Sequence, residues 1–219
     1  MKKENQKYFF IALLLIFAFV LWTILICFVD VRKIGPKESE VGFALVNGFF
    51  HNLTGINMRL YIITDWLSLI PFCFIIGFAL LGLIQWIKHK SIKKVDYSIF
   101  ILGGFYIVVM ALFILFEILV INYRPVLING ILEASYPSST TMLVMCVMPT
   151  SLMQLNNRIH NKALKKCIAF LIITFTAFMV IGRLISGVHW LTDIIGGALL
   201  SAGLITMYYY VSNLQCFYQ

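Results

Sequence analysis

The sequence predicts an all-α, polytopic membrane protein with six transmembrane helices, and three observations predict it. Apolar residues make up 61% of the 219-residue chain, against about 45–50% in typical globular domains. Charged residues make up 12%, about half the usual share. The apolar residues also fall in long runs, and about 20 of them as helix cross a bilayer. A water-soluble domain of this length could not hide so much apolar surface, whereas in a bilayer the surrounding solvent is hydrocarbon.

The elements follow in order. Residues 8–29 form the first span. This run is too long for the core of a secretory signal, and no small-residue cleavage pattern follows it. It is expected to remain as a helix. Residues 41–63 mix apolar side chains with Gly48, Asn52, Gly55, Asn57 and Arg59, which reads as an interfacial or re-entrant segment. Residues 66–87 form the second span, with Pro71 in its first turns, where proline costs least. Residues 97–120 form the third and carry Glu117 near their end. Residues 140–155 are short and interrupted by Pro149, yet a helix surrounded by protein needs less apolar length, so they are taken as the fourth span. The alternative is five spans, with this region re-entrant. Residues 167–185 and 190–211 complete the set. No internal repeat or second domain is evident, so residues 1–219 are expected to form one membrane-embedded domain.

Loop charge orients the chain. Eleven of the seventeen basic residues fall on one side: Lys2, Lys3, Lys7, Lys88, Lys90, Lys93, Lys94, Arg158, Lys162, Lys165 and Lys166. Arg32, Lys33, Lys37, Arg59, Arg124 and Arg183 fall on the other. Basic loops stay in the cytoplasm, so both termini are expected there. The net charge of +8 is explained by this clustering between apolar runs and does not call for nucleic acid. Cys27, Cys73, Cys146, Cys167 and Cys216 show no CxxC spacing, which argues against a zinc site or a disulfide frame.

The outward ends of the spans hold the residues that could do chemistry. Arg124-Pro125 follows the third span. Pro137-Ser138-Ser139-Thr140 opens the fourth. Gly182-Arg183 ends the fifth, and His189 and Asp193 open the sixth. Each alone has an ordinary reading: an arginine snorkelling to the interface, a serine capping a helix, an interfacial histidine, or Asp193 paired with Arg183. Together they form one level of the bundle, and polar groups at membrane depth point to function. The i, i+4 spacing puts His189 and Asp193 on one helix face. There the carboxylate can fix the imidazole tautomer, as a nucleophilic histidine requires. Two arginines, two hydroxyls and a helix N-terminus suit a tetrahedral oxyanion. The layer has too few carboxylates and histidines to hold a metal, so neither a metal nor a cofactor is expected.

These residues resemble the motifs of the type 2 phosphatidic acid phosphatase superfamily, which also includes the vanadium haloperoxidases. The first motif is a basic residue, six positions, then Arg-Pro. Arg124-Pro125 matches, with Glu117 in the basic position. The second is Pro-Ser-Gly-His, read here as Pro137-Ser138-Ser139-Thr140. The third is Ser-Arg, five positions, His, three positions, Asp, matched by Arg183, His189 and Asp193 with Gly182 for the serine. The resemblance spans roughly residues 95–211 and implies a type 2 phosphatidic acid phosphatase-like fold. It further implies a phosphohistidine formed on His189 and oriented by Asp193. Arg124, Arg183, Ser138 and the N–H groups near Ser139 would hold the phosphate. The leaving group would be protonated from position 140.

Thr140 is the main departure. A hydroxyl is a poor general acid, and losing such a group typically costs 10²–10⁴-fold. The loss matters less when the leaving group is itself a phosphate. Thr140 therefore fits an introduced substitution, a weak or specialised enzyme, or a lipid-binding scaffold that kept the fold. Glu117 would repel a phosphate unless protonated, turned away or paired with an arginine of the site. A site at the membrane surface implies an amphiphilic lipid phosphate, with no nucleic acid and no obligate protein partner. Undecaprenyl pyrophosphate ranks first, then phosphatidylglycerol phosphate and phosphatidic acid. A transporter ranks lower, because the charges cluster at one surface instead of the midplane.

Overall fold

The computed structural model describes residues 2–214, with side chains from Asn5 onward, so the side chains of Lys2 and Lys3 and all of Cys216 lie outside the described residues. Eight α-helices follow one another: α1 (Lys2–Phe28), α2 (Ala44–Thr54), α3 (Met58–Leu67), α4 (Leu69–His89), α5 (Tyr97–Ile118), α6 (Ser139–Arg158), α7 (Lys162–Ile185) and α8 (Leu191–Leu214). The mixed segment at 41–63 resolves into α2 and the start of α3. Gly55 separates the two helices at φ 63°, a conformation glycine adopts without strain. Asn57 caps α3 by accepting from Leu60 N.

The expected count of six spans is corrected. Among the described residues, five helices are long and apolar enough to cross a membrane: Asn5–Phe28, Met58–His89, Tyr97–Ile118, Lys162–Ile185 and Leu191–Leu214. The region expected as the fourth span is a continuous helix, α6, but it is not one of the five. Its sequence carries Ser139, Thr140, Thr141, Thr150, Ser151, Gln154, Asn156, Asn157 and Arg158. The reason is its position. α6 packs against α4, α5, α7 and α8, and eleven of its residues are buried. Protein replaces lipid as its solvent, so its polar groups find partners without an apolar exterior. Thr150 donates back to Cys146 O at 2.7 Å, and Tyr106 of α5 meets Ser151 Oγ at 3.0 Å.

The bundle has two chemically different ends. α1 and α8 run antiparallel in close contact, with Asn5 Nδ2 donating to Tyr210 O at 3.4 Å. Gln154 donates to the Tyr208 hydroxyl at 2.7 Å, and Arg158 pairs with Asp96 at 2.6 Å. The chain's two terminal helices, the 89–97 turn and the 158–162 turn therefore share one end. The other end gathers the loop after α5, the start of α6, the end of α7 and the start of α8. One of its anchors is Tyr136, fully buried, with its hydroxyl 2.8 Å from Thr23 Oγ1. Gly196 is obligatory beside it, because a Cβ there would stand 2.4 Å from the tyrosine ring.

Candidate functional site

The second end is assembled from four segments. The loop after α5 folds back on itself. Arg124 N donates to Glu133 O at 3.1 Å and Ser135 N to Asn122 O at 2.9 Å, which sets Arg124 beside Ser135. The next turn is fixed by Ser138, whose N–H donates to Asp193 O at 3.0 Å and whose hydroxyl caps α6 at Thr141 N. The first-turn N–H groups of Ser139 and Thr140 have no intrahelical partner, as at any helix start. The turn between α7 and α8 is held by α2 and α3. Asn57 N donates to Ser186 O at 2.9 Å, and Gly187 packs so close to Gly55 that a Cβ would lie 1.9 Å from the Gly55 oxygen. Asn47 of α2 exchanges hydrogen bonds with Thr192 at the start of α8.

These constraints bring Arg124, Ser138, Thr140, Arg183, His189 and Asp193 into one buried cluster. Ser139 lies at its edge, half-buried. Arg124 Nη1 stands 3.2 Å from His189 Nε2. Arg183 Nη2 donates to Thr140 Oγ1 at 2.6 Å and to Asp65 Oδ1 at 2.8 Å. Its Nε and Nη1 are buried with no partner. A buried charged donor without an acceptor is costly, and an oxyanion between the two arginines would relieve that cost. The ring of Tyr61 lies 5.0 Å from the Arg183 guanidinium and 5.8 Å from that of Arg124, so one aromatic ring attracts both cations. Burial, reinforced by the charges of Arg124 and Arg183, holds the His189 imidazole well below its ordinary pKa. The ring is thus neutral at physiological pH. Among the described residues no cluster of three or more His, Cys, Asp or Glu could hold a metal ion.

Two residues named from sequence sit apart from this chemistry. Glu117 is exposed at the end of α5, and the carboxylate beside Arg124 is Glu133, with Oε2 3.1 Å from Nε. Gly182 serves packing, since a Cβ there would lie 2.8 Å from Thr64 Cγ2 of α3. Ser135, Tyr61, Asp65 and Glu133 join the cluster without having been named. Asp65 carried a usable signal, a lone carboxylate beside a long apolar run. It lay between two segments read separately, residues 41–63 and 66–87, and belonged to neither. The cavity of about 800 Å³ between α4 and α5 is a different feature. Its wall includes Phe78, Trp86, Phe100 and Ile107 and no charged side chain, so it offers nothing to an anion.

Residues 122–215 match the family model of the PAP2 superfamily. That stretch contains every arginine, serine, histidine and aspartate of the motif layer. The remainder is covered by likeness of structure. The chain is similar to the first transmembrane PAP2 type phosphatidylglycerolphosphate phosphatase from Bacillus subtilis, with a TM-score of 0.59 and 15% identity, over 93% of this chain and 96% of that one. Identity this low shows the fold alone, and the fold is that of a PAP2-type membrane phosphatase. No curated protein matches the sequence.

Proposed function

We propose that this protein is a metal-independent lipid phosphatase that works through a phosphohistidine on His189, with a polyprenyl pyrophosphate such as undecaprenyl pyrophosphate as its first substrate. One observation carries the reading. A buried neutral imidazole and the unpartnered N–H groups of Arg183 face one cradle closed by Arg124.

The chemistry follows from that arrangement. The Nε2 lone pair of His189 attacks the terminal phosphorus, and the bond from phosphorus to the bridging oxygen breaks. The electron pair leaves on the lipid monophosphate. Arg124, Arg183 and the N–H groups of Ser139 and Thr140 hold the equatorial oxygens as charge moves onto them. Water then attacks the phosphohistidine, the N–P bond breaks, and inorganic phosphate leaves. Thr140 cannot act as a strong acid, which favours a leaving group that needs no protonation. A lipid monophosphate is such a group, whereas the alkoxide left by phosphatidic acid is not. The lysine-rich end of the bundle lies opposite the site, so the rule for basic loops supports termini in the cytoplasm and a site that opens outward. Undecaprenyl carrier recycling needs a phosphatase in that orientation.

A second reading is favoured by the same Thr140: a homologue that binds lipid phosphates without turning them over. One panel separates the two. The purified protein and its Thr140→His variant are given undecaprenyl pyrophosphate, phosphatidylglycerol phosphate and phosphatidic acid in the presence of a chelator. The enzyme reading expects phosphate release from the pyrophosphate, abolished by His189→Ala. It also expects Thr140→His to accelerate the monoesters most, by up to about 10²-fold or more. Lipid binding with no phosphate released by either form would establish the scaffold instead.

A further inference from the structure

We propose that Ser135 is the positioning residue of the reacting histidine, a hydroxyl standing between His189 and Asp193 that holds the imidazole in the tautomer with Nε2 free. The expected direct bond from the imidazole to the carboxylate is not formed. His189 Nδ1 and Asp193 Oδ2 are 3.8 Å apart, beyond a hydrogen bond. Ser135 Oγ lies 3.1 Å from Nδ1 and donates to Oδ2 in a short hydrogen bond.

The carboxylate is held back by its other duty. Asp193 is the third residue of α8, and its Oδ2 accepts from the N–H of Trp190, the residue before the helix, at 2.8 Å. That is the reach-back half of a capping box. With the Trp190 N–H and the Ser135 hydroxyl both donating to it, Oδ2 has no lone pair left for the imidazole.

The proton directions then follow from valence. A serine hydroxyl carries one hydrogen, and here it goes to Asp193. Its lone pair must therefore accept from His189, which places a hydrogen on Nδ1. On the far side of the ring, the partner of Nε2 is a guanidinium nitrogen, which can donate but not accept. Nε2 must carry a lone pair. Two independent contacts on opposite ring nitrogens thus demand the same tautomer. An arriving phosphate competes for Arg124 and exposes the Nε2 lone pair to phosphorus. Ser135 is itself fixed, by Ser135 N donating to Asn122 O at 2.9 Å and by the buried Tyr136 that follows it.

This inference deepens the phosphohistidine reading in its kinetic arm, while its spectroscopic arm stands apart from turnover. The kinetic arm compares wild type with Ser135→Ala. Formation of the trapped phosphohistidine should fall on the order of 10²-fold or more, the usual consequence of a misplaced or mis-tautomerised base. Inhibition by inorganic phosphate, an anion held by the arginines, should change less than about threefold, and the variant should still unfold cooperatively in detergent. The spectroscopic arm records ¹⁵N shifts of labelled histidine, with His189→Gln assigning the signal among the four histidines of the chain. Wild type should show hydrogen on Nδ1, and Ser135→Ala should shift the population toward Nε2. Hydrogen on Nε2 in wild type, or no change on removing the hydroxyl, overturns the proposal whether or not the protein releases phosphate.

Discussion

Replacing Gly182 tests how the membrane-entry helix α3 is docked on the site. A Cβ at this position would lie 2.8 Å from Thr64 Cγ2 and 3.8 Å from Leu60 Cδ1. Thr64 cannot turn aside, because it is fully buried and its hydroxyl donates to Leu60 O at 3.0 Å and Tyr61 O at 2.9 Å. The clash must push α3 away from α7. Overpacking of this kind costs about 1–3 kcal/mol, roughly 5- to 150-fold in the folded population. Tyr61 and Asp65 ride on α3, so the same shift should loosen both arginines and raise KM. Gly182→Ser, although it restores the serine of the family motif, should therefore weaken the protein. Thr64→Ser removes the offending methyl and keeps the hydroxyl, at about 1 kcal/mol on its own. The double variant should be more stable than the sum of the singles, with a coupling of about 1–3 kcal/mol. Equilibrium unfolding in mixed detergent micelles, followed by circular dichroism, measures all four proteins. Additivity within about 0.5 kcal/mol would show that the close approach at Gly182 carries no energetic weight.

Three further outcomes are expected. The depressed pKa of His189 means that the unfolded chain binds a proton near pH 6.5 while the native site does not. Stability should thus decline as pH falls below about 6.5, and unfolding of His189→Gln across pH 5–8 should lack that part of the slope. Asp65→Asn removes the carboxylate that competes with phosphate for Arg183. Vanadate inhibition should tighten several-fold, and weaker inhibition would instead assign Asp65 to orienting the arginine. Glu117→Gln should leave phosphate release and unfolding within about 0.5 kcal/mol of wild type, since Glu117 is exposed at the end of α5, and a large gain in activity would contradict that placement.

Hydropathy alone determined the all-α membrane class and five of the helices, because lipid-facing helices must be apolar whatever they pack against. Motif spacing grouped Arg124, Ser138, Arg183, His189 and Asp193 as candidates for one site. Only the tertiary structure decided the status of α6. The stretch at 140–155 was expected as a span, but a helix wrapped by its neighbours is freed from the hydropathy requirement, and α6 falls outside the five apolar spans. Tertiary structure also decided which carboxylate meets which arginine. Glu117 occupies the motif's basic position but is exposed at the end of α5, while Glu133 and Asp65 arrive from loop folding and helix docking. The pairing of His189 with Asp193 shows the division most clearly. Their i, i+4 spacing is written in the sequence and does bring the side chains to one face. Whether they touch depended on the cap that Asp193 makes at Trp190 and on Ser135 entering from a loop 54 residues away. Spacing along one helix sets a direction, but contact is set by every other group competing for the same oxygen.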